Sequence, residues 1–149
     1  MTQVHSMPRW VDCVQNPEAI TSLYDAPPNL SNILLHRIDL HESGWVCRVV
    51  LVTSELPVRR PQRWEDCNVV HIELGMMEIT ELEIVGWPWE RFGSATAVRS
   101  ESKVVFEAAG VGFRVKVGST AAMFLCSVKG VLVEKEWLSK FQSNERSVR

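Results

Sequence analysis

Three histidines, His36, His41 and His71, are the side chains best suited by type to ligate a metal or to act as a general base. A metal site needs ligands that converge, for example two histidines at positions i and i+2 of one strand. His36 and His41 are five positions apart in a predicted strand, so we expect them to face opposite sides of it. His71 belongs to another predicted strand. The spacing therefore predicts separate histidines, with no metal site and no cofactor site.

The motifs of nucleophilic catalysis and phosphate binding do not occur in the chain. It has no G-x-S-x-G, no G-x-x-x-x-G-K and no G-x-G-x-x-G after a predicted strand. We therefore predict that the protein is not an enzyme and has no catalytic residues. A hydrolase assembled in space is an alternative, and it would need His36 or His71 in a pocket beside a nucleophile or a carboxylate.

The four cysteines are too far apart in sequence to form a C-x-x-C pair, so neither a zinc site nor a redox site is predicted. Three of them have apolar neighbours, and we expect those three to be reduced core residues. The four are Cys13, Cys47, Cys67 and Cys126.

Carboxylates are concentrated between residues 65 and 90, in a segment that contains no lysine or arginine. A field of this sign could steer a basic partner toward the protein. The alternative is the ordinary charged outer face of a half-exposed sheet. The acidic residues of the segment are Glu65, Asp66, Glu73, Glu78, Glu81, Glu83 and Glu90.

Three of these carboxylates, Glu73, Glu81 and Glu83, lie in two predicted strands, 68–76 and 79–85. If the strands are adjacent and antiparallel, and the side chains share a face, Glu73 lies near Glu81 or Glu83. Facing like charges cost a few tenths to about 1 kcal/mol, so such an arrangement would indicate a gain from binding a partner. We therefore predict the following partner-binding residues: Glu73, Glu78, Glu81 and Glu83.

The segment Trp87-Pro88-Trp89 is the most distinctive aromatic feature of the sequence. Aromatic side chains bury large areas and mostly serve cores, so we expect these rings to anchor a core or a turn. If both rings are instead exposed and coplanar, they would suit stacking on a sugar. A non-catalytic β-rich module that binds a carbohydrate or a peptide is therefore the alternative function.

The elements that position these residues are predicted to be mostly strands, because apolar and polar residues alternate over most of the chain. We predict one mainly β domain over residues 1–149 (α+β at the margin), with a curved antiparallel sheet or sandwich and short N- and C-terminal helices. A polar tail at 144–149 is expected to fray. The predicted elements are a helix from Asn16, a hairpin over 33–53, strands at 68–76, 79–85, 103–109, 111–117 and 123–134, a possible edge strand at 95–99, and a closing helix at 135–142.

Composition restricts the class of partner. The chain has 149 residues and a formal net charge of −2, which argues against a protein that coats nucleic acid or an anionic membrane. The N-terminus has neither the cationic start nor the apolar segment of a signal peptide, and no apolar run approaches the ~20 residues of a membrane helix. We therefore expect a cytoplasmic protein with no membrane and no nucleic-acid partner.

A series of landmarks between Trp10 and Phe106 follows a definite order and spacing. The landmarks are Asn16-Pro17 followed by Ile20, Leu23 and Tyr24; Pro28-x-Leu30; His36-x-Ile38-x-Leu40 with a turn at Gly44; Pro57, Pro61 and Trp64; Asn68-x-Val70-x-Ile72-x-Leu74; and Leu82-x-Ile84-Val85-Gly86-Trp87. In this order they resemble the immunity protein 50 family of bacterial polymorphic toxin systems.

This resemblance implies a small cytoplasmic antidote that binds a cognate toxin domain and blocks it by stoichiometric occlusion. Such a protein needs no catalytic residues and no cofactor. The shared positions are structural, namely a helix start, turns and aromatic anchors, so the resemblance transfers no contact residues. Exposed sheet edges leave both a monomer and a homodimer open.

Overall fold

The computed structural model describes residues 9–41, 46–64 and 66–148. The regular elements agree with a mainly β single domain, as predicted. A predicted turn at 42–44 and Trp45 lie outside the described residues. The strands are β1 (Ile33–Leu40), β2 (Val46–Thr53), β3 (Val69–Met77), β4 (Ile79–Val85), β5 (Phe92–Ser100), β6 (Lys103–Gly110), β7 (Phe113–Ser119) and β8 (Met123–Val131); the helices are α1 (Glu18–Thr21) and α2 (Lys135–Val148), with 3-10 turns at Trp10–Cys13 and Gln62–Trp64.

All eight strands form one antiparallel sheet in the order β4-β7-β6-β5-β1-β2-β3-β8. Two short connections link the strands at one end of this order to the strands at the other end. Glu78 connects β3 to β4, and residues 120–122 connect β7 to β8. These short connections require the sheet to curve until its two ends approach. Hydrogen bonds join the two connections at this corner: the Ser119 hydroxyl donates to the Met77 carbonyl, and the Thr120 N–H donates to the Glu78 carbonyl.

The concave side of the curved sheet encloses the main core. Leu51 and Ile72 come from one half of the sheet, and Phe106 and Val117 come from the other; all four are fully buried in one cluster. Alternation along each strand places these side chains inward and the polar ones outward. The predicted curved sheet is therefore confirmed. Three of the four cysteines are free thiols buried in this core, and three were expected there: Cys13, Cys47 and Cys67.

Helix α2 covers part of the convex side of the sheet. Phe141 is almost completely buried there against Leu34, Val52 and Val69, and Trp137 and Leu138 pack beside it. Trp137, Leu138 and Phe141 therefore form the inner side of the closing helix. Within the part of the chain that the structure describes, no helix combines the length and the apolar character needed to span a membrane.

Helix α2 extends to Val148, beyond the predicted end at residue 142. The Asn32 side chain donates a hydrogen bond to the Phe141 carbonyl at 2.9 Å, and it accepts one from the Asn144 side chain. These contacts with a distant loop favour further helical turns, and local sequence cannot reveal them. The predicted fraying of 144–149 stays a prediction.

Two predictions about strand neighbours are wrong. The segment 95–99 was expected to be an edge strand, but β5 lies between β6 and β1, and the edges of the sheet are β4 and β8. The strands β3 and β4 are not neighbours either. Only Glu78 separates them, with a φ of 52°, whereas the tightest common hairpin needs two residues to reverse the chain. The chain therefore turns a corner into the other half of the sheet.

Candidate functional site

A β-bulge in β1 determines where His36 lies. The register pairs Leu35 with Leu51 and then Arg37 with Val50, which leaves His36 as the extra residue. Because a bulge changes the phase of the side chains, His36 and Arg37 both line the convex side of the sheet. On this side of β1, β2, β3 and β8, side chains of five polar or charged types (His, Arg, Glu, Ser and Lys) surround one depression.

The bulge overturns the predicted face of β1. Strict alternation along β1 predicts that Leu34, His36, Ile38 and Leu40 share one face of the strand. Instead, Leu34 belongs to the cluster beneath α2, whereas Ile38 packs against the main core on the other side of the sheet. One extra residue shifts a period-two pattern by one position, so the sides of the later residues are exchanged.

Arg91 completes the hydrogen bonding of β1 beyond the point where it separates from β5. The two strands pair only at Ile33 and Leu34. The next N–H, that of Leu35, donates to the Arg91 carbonyl at 2.9 Å. The Arg91 guanidinium in turn donates to the carbonyls of Leu35 and His36, each at 3.0 Å. The segment that precedes β5 is therefore fixed to the bulge.

The same guanidinium organises the loop between β4 and β5. It donates to the Pro88 carbonyl at 2.7 Å and lies 3.9 Å from the ring centroid of Trp87, a cation–π distance. The loop begins at Gly86, whose φ is +76° and where an added Cβ would lie 2.0 Å from the Gly112 carbonyl oxygen. Only glycine fits this position, so the start of the loop is also fixed.

The two loop tryptophans are exposed, which corrects part of the prediction. Trp87 anchors the turn through Arg91, as expected, but 49% of it is accessible to solvent, and Trp89 is 94% exposed. Together with Trp137 of α2 and His36, they line a groove of about 440 Å³. Tryptophan is rarely this exposed in a soluble domain, so this groove is a candidate binding surface.

A second depression, of about 360 Å³, shares His36 with the groove. The His36 and His71 rings lie 5.3 Å apart, centroid to centroid, across β2. The prediction of separate histidines is therefore wrong for this pair. The hairpin β1–β2 followed by β3 places them two strands apart, and the unpredicted bulge places His36 on the same side as His71. The depression is also lined by Arg37, Val50, Glu73, Ser127 and Lys129.

Both imidazoles of the depression favour the neutral form. Burial lowers the pKa of His71 to about 4, with smaller contributions from His36, Lys129 and Arg37. Burial also lowers the pKa of His36, and the neighbouring Arg37 and Arg91 act in the same direction. At neutral pH the rings therefore add hydrogen-bonding capacity but no charge.

The hydrolase alternative required a histidine beside a nucleophile or a carboxylate. His36 and His71 do share their depression with Ser127 and Glu73. Among residues 9–41, 46–64 and 66–148, however, no hydrogen bond joins either imidazole to either of these side chains. The same part of the chain contains no group of three or more His, Cys, Asp or Glu side chains placed to hold a metal ion. The geometry therefore brings these residue types together around one depression.

Two of the predicted partner-binding carboxylates lie apart from the rest. Glu73 is on the convex side of β3, where Arg37 approaches it to 3.5 Å. Glu78 forms the corner between β3 and β4, and its carboxylate accepts a hydrogen bond from the Thr120 hydroxyl at 3.0 Å. Because β3 and β4 are not paired, Glu73 does not lie opposite Glu81 or Glu83.

The other two carboxylates, Glu81 and Glu83 of β4, face basic side chains. Lys103 and Lys116 lie 3.1 and 3.4 Å from the Glu81 carboxylate, and these contacts lower its pKa. Arg114 lies 3.3 Å from the Glu83 carboxylate. Basic side chains of β6 and β7 therefore pair with both carboxylates of β4, and the role of the four predicted carboxylates in partner binding stays a prediction.

Comparison with known proteins adds a family. The family model described as Immunity protein 50 matches residues 16–136. The match extends past Phe106, where the resemblance in the sequence ended. It includes the two-histidine depression, the start of α2 and every residue that lines the groove except Trp137. Searches of curated proteins and of solved structures returned no match. Because the family model covers well over half of the 149 residues, the chain belongs to the immunity protein 50 family.

Proposed function

We propose that this protein binds a cognate bacterial polymorphic toxin in the cytoplasm and neutralises it by stoichiometric occlusion. The observation that carries the proposal is membership of the immunity protein 50 family over residues 16–136. An immunity family implies a protein toxin as the partner and suggests a role without catalysis. The toxin class, the cellular location and the occlusion mechanism are the parts of this proposal that experiment must test.

The surface of the protein has residues suited to such an interface. Inhibition at nanomolar Kd requires about 12 kcal/mol, and interfaces of this strength bury roughly 1,600 Å² around a few anchors, most often Trp, Tyr or Arg. Trp87 and Trp89 are exposed, and Arg91 holds their loop against β1. A rigid loop loses little conformational entropy on binding.

The experiment uses the gene next to the one that encodes this chain. The C-terminal domain encoded by that gene is expressed in bacteria with and without this protein, and growth is measured. We expect arrest without the protein and rescue with it, together with a 1:1 complex in size-exclusion chromatography. Turnover of the toxin by catalytic amounts of this protein would contradict occlusion, because occlusion requires one molecule for each toxin.

A ligand-binding module remains a second candidate because Trp89 is 94% exposed. One face of the Trp87 ring is occupied by Arg91, so a sugar could stack only on its other face or on Trp89. Tryptophan fluorescence during titration with a panel of oligosaccharides tests this function. Saturable quenching that disappears in Trp89→Ala would favour the module, and an unchanged spectrum would reject it for those sugars.

A further inference from the structure

We propose that the toxin contacts the convex side of the sheet around His36, where the tryptophan groove and the two-histidine depression adjoin, and that it places an acidic side chain in the depression and an apolar side chain in the groove. This inference rests on the proposed function, and it assigns the contact surface and the chemistry of the partner. It differs from the sequence-based prediction, which places the contact at the acidic residues of β3 and β4.

The groove provides a rigid apolar anchor site. Its walls come from three elements that are fixed to one another: Leu34 of β1, the loop at 87–91, and Trp137 of α2. The Arg91 guanidinium joins the loop to β1 through two carbonyls. The loop is fixed before Trp89 at Gly86 and after it at Arg91. The exposed Trp89 ring is therefore presented by an ordered loop.

Most of the charged side chains around the depression are already in ion pairs. On β1, Arg37 already pairs with Asp39 at 2.9 Å and with Glu73 of β3 at 3.5 Å. On β8, Lys129 forms no ion pair with any residue in the described part of the chain. The remaining carboxylate nearby, Glu90, is paired with Lys140 of α2.

An acidic side chain complements this arrangement. It would meet the unpaired Lys129 ammonium and the N–H groups of the His36 and His71 imidazoles. The neighbouring carboxylates already have cationic contacts, because Glu73 shares Arg37 with Asp39 and Glu90 pairs with Lys140. A charge-assisted hydrogen bond to a carboxylate is about twice as strong as a neutral one. A nucleic acid is a poorer fit, because phosphate binding relies on an extended basic surface and this chain has a formal net charge of −2.

The test measures Kd by isothermal titration between the purified adjacent-gene toxin domain and variants of this chain. We expect Trp89→Ala and Lys129→Glu each to weaken binding at least tenfold, since each removes one of the two anchors. Two control variants make matching changes away from this surface. Val111→Ala removes an exposed apolar side chain in the β6–β7 turn, and Arg99→Glu reverses the charge of an exposed side chain on β5. We expect both controls to change Kd less than threefold.

A further variant separates this inference from the acidic prediction. Glu81→Lys combined with Glu83→Lys reverses the charge of β4, and we expect it to leave Kd within threefold of wild type. Wild-type affinity in folded Trp89→Ala and Lys129→Glu would overturn the inference and leave the proposed function standing. A loss of affinity of more than threefold in the β4 variant would have the same consequence. Failure of the wild-type protein to bind would overturn both. Thermal melts confirm that each variant is folded.

Discussion

The protonation of His71 makes the stability of the fold depend on pH in a defined direction. Its pKa falls from 6.5 in the unfolded chain to about 4 in the folded one, mainly through burial. Between these pH values the unfolded chain binds a proton that the folded chain does not. The free energy of unfolding therefore decreases as the pH falls from 6.5 toward 4, and this loss is absent above pH 6.5.

The size of the effect follows from the same values. A complete shift from 6.5 to about 4 would remove roughly 3 kcal/mol near pH 4. The ring is only partly buried, so solvent screening reduces the expected loss to about 1–2 kcal/mol. The charged and titratable groups that face the His71 ring are His36 and Arg37 of β1, Glu73 of β3 and Lys129 of β8.

Urea denaturation of wild type and His71→Gln at several pH values between 7.5 and 4.5 checks this reasoning. We expect the variant to lose about 1–2 kcal/mol less than wild type over this range. Carboxylates outside the depression titrate in both proteins, so their contributions cancel in the difference. Ser127→Ala, which lines the same depression without titrating, should keep the wild-type slope. An equal slope in wild type and His71→Gln would refute the assigned burial of this imidazole.

Three further predictions concern packing and charge. Arg91→Met should lower the free energy of unfolding by about 2 kcal/mol in urea denaturation, because carbonyls of β1 and the loop lose a charged donor; an unchanged midpoint would contradict the anchoring role of Arg91. Phe141→Ala should cost about 3–4 kcal/mol, and a loss below about 1 kcal/mol would mean that α2 does not dock as described. If the acidic prediction is right, charge reversal of Glu73, Glu81 and Glu83 together slows association with the toxin and flattens its salt dependence in stopped-flow experiments; unchanged kinetics would reject that prediction and leave the immunity function in place.

The strands and the closing helix could be predicted because local sequence determines them. Alternation of buried and exposed residues marks most strands to within a few positions, and Trp137, Leu138 and Phe141 give α2 its inner side. The order of strands in the sheet could not be predicted as reliably. In the sequence, the segment around Glu78 resembles a tight turn between two neighbouring strands. One residue is too few to reverse the chain, and this is the only sign that β3 and β4 are not a hairpin.

The candidate site depended on details that periodicity cannot show. The extra residue at His36 has no local signal, yet it brings that ring to the side of His71. The exposure of Trp89 follows from a guanidinium that reaches back to β1, a contact between Arg91 and residues more than fifty positions earlier. The resemblance to an immunity family could be identified from the sequence because it depends on the order of landmark residues along the chain and on no contact between distant residues.

The central claim is that this protein acts by covering the surface of another protein. Its most direct test is a titration of growth rescue against the ratio of this chain to the adjacent-gene toxin domain, with the stoichiometry of the purified complex measured in parallel. If the protein acts in this way, rescue reaches its maximum at about one molecule per toxin and the complex survives purification. Rescue at a small fraction of that ratio, or the absence of any complex, would contradict it.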